Sequence, residues 1–219
     1  DIKDRSKNPG YSRFTQQLFM SQLSDKDFSV FQEKMFRFPG FYVQKRSVRE
    51  YVYPYAAHVL GDVGEVSPSD IEEDDYYQPG DYIGKLGLEK HFEKELRGTK
   101  GVKIMLRDAR GRIQGSYQNG KLDQRPVAGK DLTLGIDVNL QALGERLLQG
   151  KIGSIVAIDP RDGSVLAMVS SPTYDPRRLV GKNRGKMHKW LSQNPWKPLL
   201  NRSIMGQYPP GSTFKTTQA

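Results

Sequence analysis

Apolar positions recur at helical spacing in several short stretches before residue 150, then fill two short runs, SIVAI (154–158) and VLAMV (165–169), on either side of DPRDGS. In SDKDFSVFQEKMFRFPG (24–40), Phe28, Phe31 and Met35 repeat at the helical period, so they are expected to face a core. Ser24 can accept a first-turn N–H, Asp25 and Asp27 suit the positive end of the helix dipole, and Pro39-Gly40 ends the element. FYVQKRSVREYVY (41–53) is rich in β-branched and aromatic residues and predicts one extended segment. PYAAHVLGDVG (54–64) predicts one or two helical turns stopped by Gly61, and Ser67 before Pro68 starts another helix. The clearest helix is GKLGLEKHFEKELRGTKG (84–101). There Leu88, Phe92 and Leu96 form an apolar stripe, Glu89, Lys90, Glu93, Lys94 and Glu95 occupy the other faces, and Gly98 stands where a C-terminal cap belongs.

Further along, GVKIMLRDARGRIQGSY (101–117) predicts a hairpin, with Val102, Ile104 and Leu106 alternating and DARGR as its turn. PVAGKDLTLGID (126–137) predicts a connector and then a strand. Asp137 can cap a helix over 138–150, with Leu140, Leu143 (or Gly144) and Leu147 inward and Gly150 at its end. GSIVAIDPRDGSVLAMVSS (153–171) predicts a second hairpin around DPRDGS. Both of its strands are nearly continuously apolar, so both faces are expected to be covered. Residues 172–211 show little regular pattern and predict a long irregular stretch, a feature often tied to function or mobility.

Composition agrees with a globular α+β or β-rich protein: 219 residues, 36% hydrophobic, with 22 Gly and 13 Pro to supply turns. No apolar run approaches the ~18 residues of a membrane span. The opening DIKDRSKNPG reads as mid-chain sequence, so an earlier segment is expected. With no cysteine, disulfides and thiolate metal sites are excluded. Net charge is +9, concentrated late: residues 131–219 hold 12 Lys/Arg against 6 Asp/Glu, and RRLVGKNRGKMHK (177–189) holds six cations and no acid. That tract reads first as a solvated mobile loop, and second as a contact for an anionic lipid, nucleic acid or acidic polymer. No aromatic ladder or nucleic-acid motif accompanies it. Glu72 to Asp75 lack the alternating ligands and central glycine of a calcium loop and read as solvated surface. His58, His91 and His188 stand apart from other ligand residues in the sequence.

The chain closes on YPPGSTFKTTQA (208–219). On a helix, Ser212 and Lys215 share a face with Cβ atoms ~5–6 Å apart, so an amine can reach a hydroxyl. A neutral lysine could take the serine proton and leave a nucleophile. At the ordinary lysine pKa of ~10.4 only about one in 2,500 is neutral at pH 7, so burial or a neighbouring cation must lower it. A chain of this length should hold about one S-x-x-K by chance, so the spacing alone is weak and its context matters more.

That context resembles the class B penicillin-binding proteins. YPPGSTFK resembles their active-site serine motif, and FRFPGFYVQKRSVREYVYPYAAHVLGDVGEVS their membrane-proximal region. YIGKLGLEKHFEKELRGTKG resembles their pedestal helix, LTLGIDVNLQALGERLL the first elements of their transpeptidase domain, and GSIVAIDPRDGSVLAMVSSPTYDP the hairpin that follows. The resemblance is closest to the elongation-type members. It implies an α+β fold: an elongated pedestal of strands and helices over residues 1–130, then the first part of a transpeptidase domain over residues 131–219, a helix plus the hairpin of an antiparallel sheet. It implies a D,D-transpeptidase on the periplasmic face of the bacterial inner membrane, held by an N-terminal anchor. Ser212 would be the nucleophile and Lys215 the base, acting on the D-Ala-D-Ala end of peptidoglycan stem peptides and acylated by β-lactams, without metal or cofactor. A RodA-like glycosyltransferase and an MreC-like scaffold would be partners, and nucleic acid would not. The family's S-x-N and K-[ST]-G motifs do not follow Ser212 before Ala219, so the chain is expected to be a piece, inactive by itself. The alternative is a non-catalytic pedestal module that positions a catalytic domain.

Overall fold

The computed structural model describes residues 19–20, 23–43, 49–109, 113–209 and 211–218. In chain order the elements are α1 (Asp25–Lys34), α2 (Ala57–Leu60), β1 (Val63–Glu65), α3 (Pro68–Glu73), β2 (Tyr82–Gly84), α4 (Gly87–His91), α5 (Glu93–Leu96), β3 (Met105–Arg107), β4 (Ile113–Ser116), α6 (Val138–Leu147), β5 (Gly153–Ile158), β6 (Val165–Ser171), α7 (Arg184–Gln193), α8 (Arg202–Met205) and α9 (Lys215–Gln218). Consecutive strands pair as β1–β2, β3–β4 and β5–β6. The fold is mixed α+β, as the sequence predicts. Two compact units form: Asp1–Val43, Glu65–Tyr82 and Phe92–Leu132 make the first, and Gln44–Gly64, Ile83–His91 and Thr133–Ala219 the second.

In the first unit α1 begins as expected, with the Ser24 hydroxyl accepting the Asp27 N–H at 3.2 Å. Phe28, Phe31 and Met35 lie on one face but only half-buried. α3 starts on a reciprocal cap: the Asp70 N–H donates to Ser67 Oγ at 3.3 Å, and the Ser67 N–H to Asp70 Oδ2 at 2.7 Å. The acidic run is solvated at Glu72, Glu73 and Asp75, while Asp74 pairs with Arg97 at 2.7 Å. The Arg97 guanidinium lies 3.9 Å from the centre of the Tyr76 ring, and Lys100 pairs with buried Asp81. The expected β3–β4 hairpin is present, with Met105 opposite Ser116 and a register shift after Leu106. Its expected turn residues 110–112 lie outside the described residues. The strand predicted late in 126–137 does not form. Its place is taken by a connector tied by single bridges, Thr99 to Val127 and Val102 to Gln124.

Two further expectations need correction. The helix predicted over 84–101 is two short helices broken at Phe92, whose φ −105 and ψ 25 leave the helical region. Glu89, assigned to a solvent face, is buried, because Arg49 at 2.8 Å and the Tyr51 hydroxyl at 3.5 Å both reach its carboxylate. The extended segment predicted over 41–53 forms no strand at its described ends, and 44–48 lie outside the described residues.

The second unit is built on the β5–β6 hairpin, with Ile155 opposite Val169 and Val156 opposite Met168. Helix α6 lies on it, capped by Asp137, whose carboxylate accepts the Asn139 and Leu140 N–H groups at 2.8 and 3.1 Å. Its inward residues are Gln141 and Gly144, while Leu143 and Leu147 turn outward at 40% and 56% exposure. A glycine lets the helix approach the sheet closely: a Cβ on Gly144 would stand 2.7 Å from Val169 Cγ2. The Gln141 amide serves as a substitute strand, accepting the Met168 N–H at 2.9 Å and donating to the Met168 carbonyl at 3.0 Å. The expectation that both strands are covered holds for β6, where Ala167 and Val169 are each 1% exposed, and fails for β5, where Val156 and Ile158 remain exposed. Residues 172–211 are more regular than their pattern predicts, because they contain α7 and α8. Met187 and Leu191 of α7 pack into a core with Ala57, Tyr174 and Leu179.

Candidate functional site

Ser212 sits in the 3₁₀ turn Gly211–Phe214, and Lys215 opens α9 directly after it. The two are placed on consecutive turns of one short coil, where side chains at i and i+3 nearly eclipse. Both side chains are exposed. No hydrogen bond or ion pair among the described residues engages either of them. Among the described residues Lys215 thus lacks the burial that a lysine base needs.

The chain leading into this pair is held from below. The Arg202 N–H donates to Ser170 Oγ at 2.9 Å, and Ser170 Oγ donates to the Leu200 carbonyl at 2.9 Å. Ser203 Oγ donates to the Val169 carbonyl at 2.8 Å, so the first two residues of α8 are pinned to β6. The buried Arg202 guanidinium donates to the Trp196 carbonyl at 2.7 Å and the Lys197 carbonyl at 3.1 Å, while its Nε has no partner among the described residues. These dipoles do for the cation what a carboxylate would otherwise do. His58 Nε2 meets the Pro198 carbonyl at 2.7 Å and its ring stands edge-on to Tyr174 at 5.3 Å. Burial holds the His58 imidazole below its ordinary pKa, the Pro198 contact opposes this, and the Arg202 charge adds to it. One turn beyond Gln141 on α6, Glu145 accepts the Ala56 N–H at 2.7 Å and the Gln141 amide at 3.0 Å. Burial raises the Glu145 carboxyl, and those two donors pull it back.

Nothing in the sequence marks Arg202, Gln141 or the buried pair Asp62–Arg184 as structural. The last pair spans 122 positions, beyond the reach of any local pattern. A cavity of about 790 Å³ opens between Tyr55, Glu145, Arg146, Lys151, Thr173 and Trp196, away from Ser212 and Lys215. The basic tract is not the mobile loop first read: it forms 3₁₀ turns and α7, with Arg177 on Asp175 at 2.7 Å and Arg184 on Asp62. Among the described residues no group of three or more His, Cys, Asp or Glu could hold a metal ion.

Two family descriptions match the chain: Penicillin-binding Protein dimerisation domain over residues 1–134, and Penicillin binding protein transpeptidase domain over residues 153–219. The peptidoglycan D,D-transpeptidase MrdA of Acinetobacter baumannii is 38% identical over 90% of this chain and 29% of its own. Among solved structures, the complex between PBP2 and MreC from Helicobacter pylori matches with TM-score 0.74 and 30% identity, over 89% of this chain and 36% of that one. Pseudomonas aeruginosa PBP2 in complex with WCK 5153 matches with TM-score 0.61 and 38% identity, over 77% and 33%. The chain therefore spans about a third of the length of its relatives.

Proposed function

The chain belongs to the class B penicillin-binding proteins, in their PBP2/MrdA branch, and from that footing we propose that it is part of a peptidoglycan D,D-transpeptidase of cell elongation. In this reading Ser212 Oγ attacks the carbonyl of the penultimate D-alanine of a stem peptide while Lys215, neutral, takes the hydroxyl proton. The C–N bond to the terminal D-alanine breaks, that proton goes to the departing amine, and an acyl-serine remains. An amine of a second stem peptide then attacks the ester, forming the cross-link and restoring the serine. A β-lactam carbonyl would enter the same first step and stay on Ser212.

The observation that carries this reading is that two family regions match in order and the second takes in Ser212 and Lys215. Because Lys215 is exposed, the 219-residue chain is proposed to be inactive, its base left in water. We assign residues 1–130 to the pedestal and 131–219 to an incomplete transpeptidase domain. A membrane anchor before the pedestal and a place on the periplasmic face are part of the same proposal. No helix among the described residues is long and apolar enough to cross a membrane.

Fluorescent penicillin tests it. The 219-residue chain should take up no label, a version extended to the length of its relatives should be labelled, and Ser212→Ala should abolish that labelling. Labelling of the extended Ser212→Ala chain would remove Ser212 from its role. The second reading, a scaffold-binding pedestal module, is favoured by the match to PBP2 solved with MreC and by exposed Phe36 and Tyr42, at 79% and 64%, on the first unit. A RodA-like glycosyltransferase is the other partner it proposes.

A further inference from the structure

Helix α7 has two faces. Met187 and Leu191 turn into the core, and Arg184 pairs with Asp62. Lys186, Lys189, Trp190 and Gln193, at positions i, i+3, i+4 and i+7, share the opposite face and all four are exposed, Trp190 at 60%. Among the described residues no ion pair or hydrogen bond engages these four side chains. Arg178 and Lys182, also exposed, extend the positive charge into the preceding turns.

The helix does not account for these residues. Its first turn carries no acid, and Asn183 makes no side-chain cap, so Arg184 and Lys186 sit at the end where the dipole disfavours cations. The core does not account for Trp190, which is the one large apolar side chain on the outward face. A tryptophan that stays half in water while flanked by ammonium groups suits a partner with both a flat apolar surface and negative charge.

We propose that this face of α7 is a contact surface for a glycan strand bearing carboxylate-rich peptides, a site that holds substrate strands apart from the reacting serine. The proposal rests on the transpeptidase reading above. A sugar ring offers an apolar C–H face to the indole and hydroxyls to the Gln193 amide. Stem-peptide carboxylates offer charge partners to Lys186 and Lys189. A membrane surface fits less well, since the apolar residues of α7 are spent on the core and one tryptophan leaves no apolar stripe to immerse. Single-stranded nucleic acid calls for successive aromatic platforms, and this face has one.

The test measures binding of fluorescently labelled, uncross-linked glycan strands with intact stem peptides to the 219-residue chain and to its extended form. Parallel titrations use the same strands with peptides removed and vesicles of phosphatidylglycerol. Trp190→Ala and Lys186→Gln/Lys189→Gln should each weaken strand binding about fivefold or more in both forms, with circular dichroism unchanged. Added salt and removal of the peptides should weaken the parent and leave the double lysine variant little affected. Three results would overturn the site: variants that bind strands like the parent, a loss seen only on vesicles, or a loss confined to the short chain because the face is covered in the longer one. Penicillin uptake at Ser212 in the extended chain reads the parent proposal separately. Uptake with unaltered strand binding in the variants sinks this site alone, whereas no uptake sinks the transpeptidase reading whatever the strands do.

Discussion

At the scale of single residues, the fold around Pro198 is expected to respond to pH through His58. Burial lowers the folded-state pKa of this imidazole, so the unfolded chain binds the proton more tightly. Stability is therefore full above the unfolded value of ~6.5 and is lost as pH falls through it towards the folded value. Glu145 has the opposite sign, since a raised carboxyl pKa weakens the fold as pH rises above the ordinary carboxylate range. Comparison with His58→Gln cancels the Glu145 contribution and keeps a donor for the Pro198 carbonyl. Urea melts at about pH 7.5 and about pH 5.5 should show the parent losing more stability on acidification than the variant. Equal losses would mean that the folded imidazole takes up its proton as readily as the unfolded one, the Pro198 carbonyl offsetting burial and the Arg202 charge.

At the scale of elements, what the sequence made legible was local: the Ser24, Ser67 and Asp137 caps, the left-handed stops at Gly61 and Gly98, and the two hairpins. The Ser212–Lys215 pair was legible as a spacing, and its exposure was not. Elements set by distant contacts were hidden. The burial of Glu89 depends on Arg49 and Tyr51, 40 and 38 positions earlier. Helix α7 was hidden because its inward face is one methionine, one leucine and an arginine whose partner lies far off. On α6 the expected Gly144 does face inward and Leu140 is half-buried, while Leu143 and Leu147 turn outward, because a glycine and a glutamine make the closer fit to β6. Gly144→Ala should therefore destabilise the second unit by about 1 kcal/mol, the overlap with Val169 outweighing the gain in helix propensity. Val169→Ala should cost about 2 kcal/mol alone. The double variant should be more stable than the two losses summed, since the smaller residue 169 makes room for the new methyl group. Strict additivity in a thermal or urea cycle would show that the helix and hairpin separate enough to avoid the contact.

At the scale of the whole molecule, the same side chains should have opposite effects in a short and a long polypeptide. Val156 and Ile158 on β5 are 44% and 57% exposed, and Leu143 and Leu147 add 40% and 56% on α6. A two-stranded sheet with an apolar face is a surface that other chains can cover. Relatives are about three times as long, and if the transpeptidase domain proposed above is completed by that further sequence, β5 is the face it is expected to cover. Val156→Thr/Ile158→Thr in the 219-residue chain removes exposed apolar surface from water and leaves the buried residues of β6 untouched. Self-association should fall, read as a shift towards monomer in sedimentation velocity at fixed concentration. In the extended chain the same pair would put two hydroxyls into a packed layer, at a cost of about 1–3 kcal/mol each, so the urea midpoint should drop. A loss of stability in the short chain would mean that β5 is already covered there, and no loss in the long chain would mean that the further sequence packs elsewhere.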